Sequence, residues 1–328
     1  MVTKTAPRAN SKVVGWERRP KGLVRSRSAR AAGLAASLVL LGLVNLASIA
    51  FGSKQIPFAT VIDALFNFDP ELNDHLIVRS LRIPRNTVGL LVGAALGLAG
   101  AVMQGVTRNP LADPGILGVS AGASLFVVVG IYVFGVGTLL GYVWFAFAGA
   151  LVASLVVYFL GSLGREGATP VKLALAGAAL TAFLASITTA ILLIDVATLD
   201  QYRFWAVGSL AGRTPQVAAQ VAPFIAVGGL MALVSGRLLN ALSLGDDVAR
   251  SLGQKVGLSR AFSAASVVLL TGAATAAAGP IGFVGLTVPH VARAITGPDY
   301  RWILPYSAVL APVLLLGSDI IGLSLIHI

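Results

Sequence analysis

Residues 114–164 read PGILGVSAGASLFVVVGIYVFGVGTLLGYVWFAFAGALVASLVVYFLGSLG. Asp113 precedes the stretch, Arg165 follows it, and the 51 positions between them carry no charge. A hydrocarbon core about 30 Å thick is crossed by about 20 apolar residues in helical conformation. The stretch is long enough for two spans, with Gly135 and Gly137 marking the turn between them. The rest of the chain agrees. Its 328 residues are 56% apolar and only 11% charged, and the mean hydropathy is +0.87. A soluble domain carries about a quarter charged residues, and a disordered chain is richer in charge still. Both classes are excluded, and an integral membrane protein is indicated.

Working outward, apolar runs alternate with short polar breaks. The predicted spans are residues 30–51, 87–106, 114–134, 139–162, 171–194, 216–237, 260–278, 281–296 and 302–321. All nine read as helices, because a barrel would show short strands of alternating polarity. The seventh and eighth are separated only by Gly279-Pro280. The fold class is therefore all-α, a polytopic membrane helical bundle. The first run, from Ala31 to Gly52, is too long for the apolar region of a signal peptide, about 7–15 residues, and reads as an uncleaved helix. In the second span, Gly89, Gly93 and Gly97 share one helix face, where a neighbouring backbone can approach closely.

Charge sets the orientation. The net +11 has two possible sources, a nucleic-acid footprint or a topology signal. Residues 1–30 hold nine cations against Glu17 and read as a flexible basic tail. With the N-terminus in the cytoplasm, 18 of the 24 Lys and Arg fall inside and 6 outside, whereas the 13 acids divide six to seven. The excess is a topology signal, and no nucleic-acid partner is implied. No cysteine is present, which removes disulfides, thiolate metal sites and cysteine nucleophiles. With three histidines, of which His327 lies in the last residues, a histidine-rich metal or catalytic centre is not expected.

Four polar features interrupt the spans. Arg79-Ser-Leu-Arg82-Ile-Pro-Arg85 places three cations on the outer side, against the trend. They fit docking of an acidic partner or anchoring to lipid headgroups. Arg108-Asn-Pro-Leu-Ala-Asp-Pro-Gly115 is a rigid inner turn in which Asp113 can cap the next helix. The segment Leu242 to Gly257 predicts a short helix with Asp246 and Asp247 in its first turn and Gly253 ending it. Val248, Leu252 and Val256 recur at four-residue spacing, so the helix has an apolar face for a partner's groove or the membrane interface. In Gly279 to Arg293, Pro289 kinks a span and His290 follows at membrane depth, either as a packed neutral side chain or as a functional group. No phosphate-binding loop, zinc-protease or serine-hydrolase motif occurs, and no acid lies near the centre of a predicted span. A stand-alone ion-coupled carrier, the rival reading, usually needs such an acid. A lipid-modifying enzyme would need a nucleophile or metal set. Energy for uphill transport would come from another subunit.

Together these strings resemble the transmembrane permease subunit of bacterial ABC importers for iron–siderophores, haem and vitamin B12, the FecCD family. Leu81–Arg85, Gly105–Gly118, Gly245–Gly253 and Gly279–Arg293 occur in the family's order and spacing, over residues 31–322. The resemblance implies the type II ABC importer permease fold with ten spans, in the bacterial cytoplasmic membrane. It implies a second permease subunit, an ATPase dimer on the cytoplasmic face, and an extracytoplasmic substrate-binding protein. It also implies no catalysis and no cofactor in this chain, ATP–Mg being held by the ATPase. Arg82 and Arg85, with Arg79 beside them, match the arginines that pair with acidic residues of the binding protein. Asn109, Leu111 and Thr169 match cytoplasmic gate elements. Asp246, Asp247, Val248, Arg250, Leu252 and Gly253 match the coupling helix that fits the ATPase. Ferric siderophore is the commonest cargo, ahead of vitamin B12 and haem. Leu323 to Ile328 depart from the family pattern, and a truncated or artefactual end is expected there.

Overall fold

In the computed structural model, residues 22–24, 26–52, 54–164 and 169–325 are described. Most of the basic tail, Arg165 and the last three residues lie outside them. Within the described residues the chain forms thirteen helices. These are α1 (Arg27–Ala50), α2 (Phe58–Phe66), α3 (residues 73–107), α4 (Val119–Phe134), α5 (Leu139–Ser162), α6 (Pro170–Ile194) and α7 (Val196–Ala206). They continue with α8 (Pro215–Val234), α9 (Gly236–Leu242), α10 (Asp246–Ser251), α11 (Val256–Ala278), α12 (Val284–Thr296) and α13 (Tyr300–Leu325). Several starts carry the expected side-chain caps. Ser26 accepts from Ala29 N at 3.1 Å, Thr138 from Gly141 N at 3.2 Å, and Asp195 from Thr198 N at 3.0 Å.

Each of the nine predicted spans coincides with a helix, but they are not equivalent. Seven described helices are long and apolar enough to cross a membrane. The other two are short. Asp113 accepts from Gly115 N at 2.8 Å, the 3₁₀ turn Pro114–Leu117 follows, and Gly118 turns left-handed (φ 69°) before α4 begins. That leaves α4 with 16 residues, about 24 Å at 1.5 Å each. Helix α12 has 13, about 20 Å, and starts from Phe283 in the left-handed region (φ 67°). Neither spans a 30 Å core alone, which corrects the reading of residues 281–296 as a full crossing.

Helix α3 is the centre of the bundle. Of its most apolar 18-residue window 83% is buried, against 6% for α1 and 11% for α6. It packs against α8, α11, α12 and α13. The glycine stripe makes this possible. A Cβ on Gly93 would lie 2.6 Å from Pro312 Cα, and one on Gly97 would overlap the Ser307 carbonyl oxygen of α13. Gly93→Ala is therefore expected to cost about 1–3 kcal/mol. A lowered unfolding temperature of the detergent-solubilised protein would report it. A second small-residue contact, Gly122 against Gly149, joins α4 to α5.

The predicted second span began at residue 87, yet α3 begins at Asn73. Its first turns run through a π-helical stretch, Ile77–Arg82, and carry all three arginines of the outer cluster. With α2 this segment builds a small separate core of Ile56, Val61, Ala64 and Val78.

Candidate functional site

The bundle has two polar ends, and the sequence-predicted residues divide between them. At one end lie the last turn of α1, the first turns of α3 and the last turns of α13. Arg82 and Arg85 are 4% and 7% exposed. Arg82 Nη1 donates to the carbonyls of Ile49 (2.7 Å) and Ala50 (2.5 Å), and Nη2 to that of Lys54. Arg85 Nη2 donates to Ser48 O at 2.5 Å, and its Nε sits 3.4 Å from Asp319 Oδ2. These carbonyls belong to the last turn of α1 and the residues just after it, which lack intrahelical donors. Arg79 does the same for α2, donating to Ala64 O (3.1 Å) and Leu65 O (3.0 Å) and lying over the Phe68 ring. The three arginines of the expected docking cluster are not equally open. Arg79 is exposed, whereas Arg82 and Arg85 are buried because they close the C-terminal end of α1. Helix-end carbonyls attract cations through the macrodipole, and three arginines at three- and six-residue separations reach two such ends at once.

The opposite end holds α10. It forms as predicted, from Asp246 to Ser251, with Gly253 left-handed (φ 82°) just beyond. Asp246 is not free for a partner. It pairs with Arg260 at 2.9 Å and Arg108 at 3.3 Å, tying α10 to the start of α11 and the end of α3. Arg108 is itself left-handed (φ 54°), which turns the chain off α3. Asp247 is fully solvated and meets Arg250 at 3.0 Å. Val248 and Leu252 are exposed, whereas Val256, the third member of the predicted stripe, is buried at the start of α11. The outward face of α10 therefore carries Val248 and Leu252 as bare apolar side chains, flanked by Asp247 and Arg250.

Beside it lies the turn after α3. Asn109 Oδ1 accepts from Leu111 N at 2.9 Å, an Asx turn that presents Leu111 with 71% of its surface exposed. Thr169 caps α6, accepting from Lys172 N at 3.4 Å. No hydrogen bond joins Thr169 to the Asn109 turn among the described residues, although α6 packs on the 3₁₀ turn at Pro114–Leu117. Asp246, one of the six predicted coupling residues, brings α10 to this turn through its ion pair with Arg108. His290, at membrane depth in the sequence, is exposed on α12.

Other polar groups escaped the sequence reading. Gln104 Nε2 donates to Leu286 O (3.1 Å), and Arg293 reaches Gln104 Oε1 (3.3 Å) and the Tyr300 hydroxyl (3.1 Å), linking α3, α12 and α13. Asp299 accepts from Asn240 Nδ2 (2.7 Å) and Arg301 Nη2 (2.8 Å). Burial pushes its carboxyl upward, but the bonds from Arg301 and Asn240 outweigh this and hold it at about 2. Arg213 and its cavity are taken up below. No cluster of acids and histidines able to hold a metal exists among the described residues.

Comparison with known proteins places this arrangement. The model of the FecCD transport family matches residues 39–327. The chain is 45% identical over 293 residues to the ferric enterobactin transport system permease protein FepD of Escherichia coli, covering 89% of this chain and 87% of that protein. It is 43% identical over 274 residues to the siderophore transport system permease protein YfiZ of Bacillus subtilis, covering 84% and 82%. Among solved structures it matches a metal-chelate type ABC transporter in an inward-facing conformation. The TM-score is 0.78 at 26% identity, over 90% of this chain and 91% of that one. On the family match and these relatives, the chain belongs to the FecCD transport family of ABC importer permeases.

Proposed function

We propose that this chain is the membrane-spanning subunit of an ATP-driven importer that moves a ferric siderophore across the bacterial cytoplasmic membrane by alternating access. The observation that carries the cargo is the pair of siderophore permeases it matches across more than four fifths of their length. The bundle itself supports a passive pathway moved from outside. The half-buried acid Asp319 in the last long helix is paired with Arg85 and is not a free ion-coupling carboxylate.

The N-terminus lies in the cytoplasm, so α10 faces the cytoplasm and the α1–α3 junction faces outward. Two such subunits, identical or paralogous, enclose the pathway. The sparsely buried faces of α1 and α6 are where lipid and the second subunit lie. An ATPase dimer seats on Val248 and Leu252, and its closure is carried through Asp246 to Arg108 and the adjoining turn. Asn109, Leu111 and Thr169 form the cytoplasmic gate around that turn. A substrate-binding protein delivers cargo to the outer end, where Arg79 offers the exposed charge of the arginine cluster. ATP and Mg²⁺ are held by the ATPase, not by this chain.

The test is uptake by cells carrying the complete system, comparing iron-55 siderophores with labelled cobalamin and haem. Iron uptake that stops when the ATPase is inactivated is expected, with neither of the other cargoes competing. Cobalamin or haem import in its place would overturn the cargo. Uptake indifferent to the ATPase would favour a stand-alone carrier.

A further inference from the structure

Among the described residues, Arg213 is held by fewer bonds than the other buried arginines. Arg82 and Arg85 close a helix end, Arg260 and Arg108 meet Asp246, and Arg301 meets Asp299. Arg213, in the loop between α7 and α8, is 5% exposed. Its Nε donates to Ser209 O at 2.8 Å, and no carboxylate lies within ion-pair distance among the described residues. Burial lowers its pKa to about 10, so it remains a cation at neutral pH. A buried guanidinium without a counter-charge is costly to hold.

Arg213 lines a cavity of about 450 Å³. The cavity lies at the end of the bundle opposite α10, among the start of α5, α7 and the loop after it. Trp205 forms part of its wall, is 2% exposed, and its Nε1–H is a buried donor with no acceptor among the described residues. Across the cavity the Tyr142 hydroxyl donates to Gln201 Oε1 at 3.3 Å. No acidic side chain lines the site, and its rim carries the exposed Phe204 and Val207. The chemistry is that of an acceptor-seeking pocket: a positive fork with apolar edges and no acid beside it.

We propose that this cavity is a transient recognition site for the anionic oxygen edge of a ferric chelate as it enters the pathway. The proposal rests on the siderophore reading given above. Ferric ion is held by hard, deprotonated oxygen donors, so citrate and catecholate complexes carry net negative charge and present acceptor oxygens outward. A planar guanidinium matches a pair of such oxygens in bidentate fashion. At 450 Å³ the cavity takes one edge of the complex and not the whole.

The experiment uses the complete system, with binding protein and ATPase, and three iron-55 probes: ferric citrate, a ferric tris-catecholate and an uncharged ferric trihydroxamate. Wild type is expected to import at least one anionic probe. Arg213→Gln should lower that uptake about tenfold, the loss of roughly one charge-assisted contact. Arg213→Lys should fall between, keeping the charge and losing the fork. Affinity of the loaded binding protein for the membrane complex should stay within about twofold in both. Unchanged uptake in Arg213→Gln, or in Arg213→Lys where the first variant does not accumulate, would overturn the site. So would loss of binding-protein affinity in step with uptake, since the arginine would then be a protein-docking contact. Import by wild type of the uncharged trihydroxamate alone would overturn the anionic specificity. Import of none of the three would overturn the siderophore reading and this site with it, an outcome distinct from wild-type import that Arg213→Gln leaves intact.

Discussion

Val248→Asp with Leu252→Asp is expected to release the ATPase from the membrane fraction and to abolish uptake, while the permease itself stays inserted. Both side chains are exposed in the isolated subunit, 44% and 65%, so the change removes no internal packing. The anchoring of α10 is elsewhere, in Asp246 with Arg108 and Arg260. The variant therefore separates the surface of the helix from its support. Burying an aliphatic side chain of this size in a partner groove contributes about 1.5–3 kcal/mol, and a carboxylate there would in addition be desolvated without a partner. Two such changes shift an association constant by several orders of magnitude. Co-purification of the ATPase with the tagged permease is the measurement. Retention of the ATPase at wild-type yield would remove α10 as the coupling element. Asp246→Asn gives the complementary result, weakened transport with the ATPase still bound. Its two ion pairs would lose their charge, and with them the link from α10 to the end of α3.

The spans were legible in the sequence because exclusion of charge from the hydrocarbon is a coarse constraint that needs no knowledge of packing. The same holds for α10, where paired first-turn acids, a terminal glycine and four-residue apolar spacing agree on one helix. The failures share a different cause. The predicted span starts fourteen residues after α3 does because Arg79, Arg82 and Arg85 interrupt the apolar pattern. Their charges are compatible with helix only because α1 and α2 end beside them, and no local pattern announces where another helix stops. The shortness of α4 and α12 depends on left-handed Gly118 and Phe283, and Phe283 is a residue type that gives no hint of that conformation. Val256 continued the stripe of Val248 and Leu252 by spacing, but Gly253 breaks the helix between them and sends Val256 into the core. In the sequence Arg213 is one of the six outside charges. Its distinction, burial on a single backbone acceptor, exists only once α7 and the loop after it are folded against α5.

Arg85→Glu decides between two roles for the outer arginines. A pure docking contact predicts normal insertion and stability with lost binding-protein affinity. The structure predicts something larger. The side chains of Arg85 and Asp319 are 8% and 16% exposed, so reversal would set two carboxylates together in a site largely shielded from water. It would also strip donors from the carbonyls of Ser48 and Phe51, which end α1. Breaking one partner of a buried pair costs about 3–5 kcal/mol, a large share of the stability of a typical fold. Permease abundance in the membrane should therefore fall, and the unfolding temperature of the solubilised protein with it. Asp319→Asn in the same chain should recover part of that loss by removing the like charge, which no docking role predicts. Arg79→Glu is the control. Arg79 is exposed and caps only the peripheral helix α2, so its reversal should leave abundance near wild type and reduce docking of an acidic partner. Normal abundance for Arg85→Glu with docking lost would return the buried arginines to the outer surface, and would mean that α1 ends elsewhere in the assembled transporter.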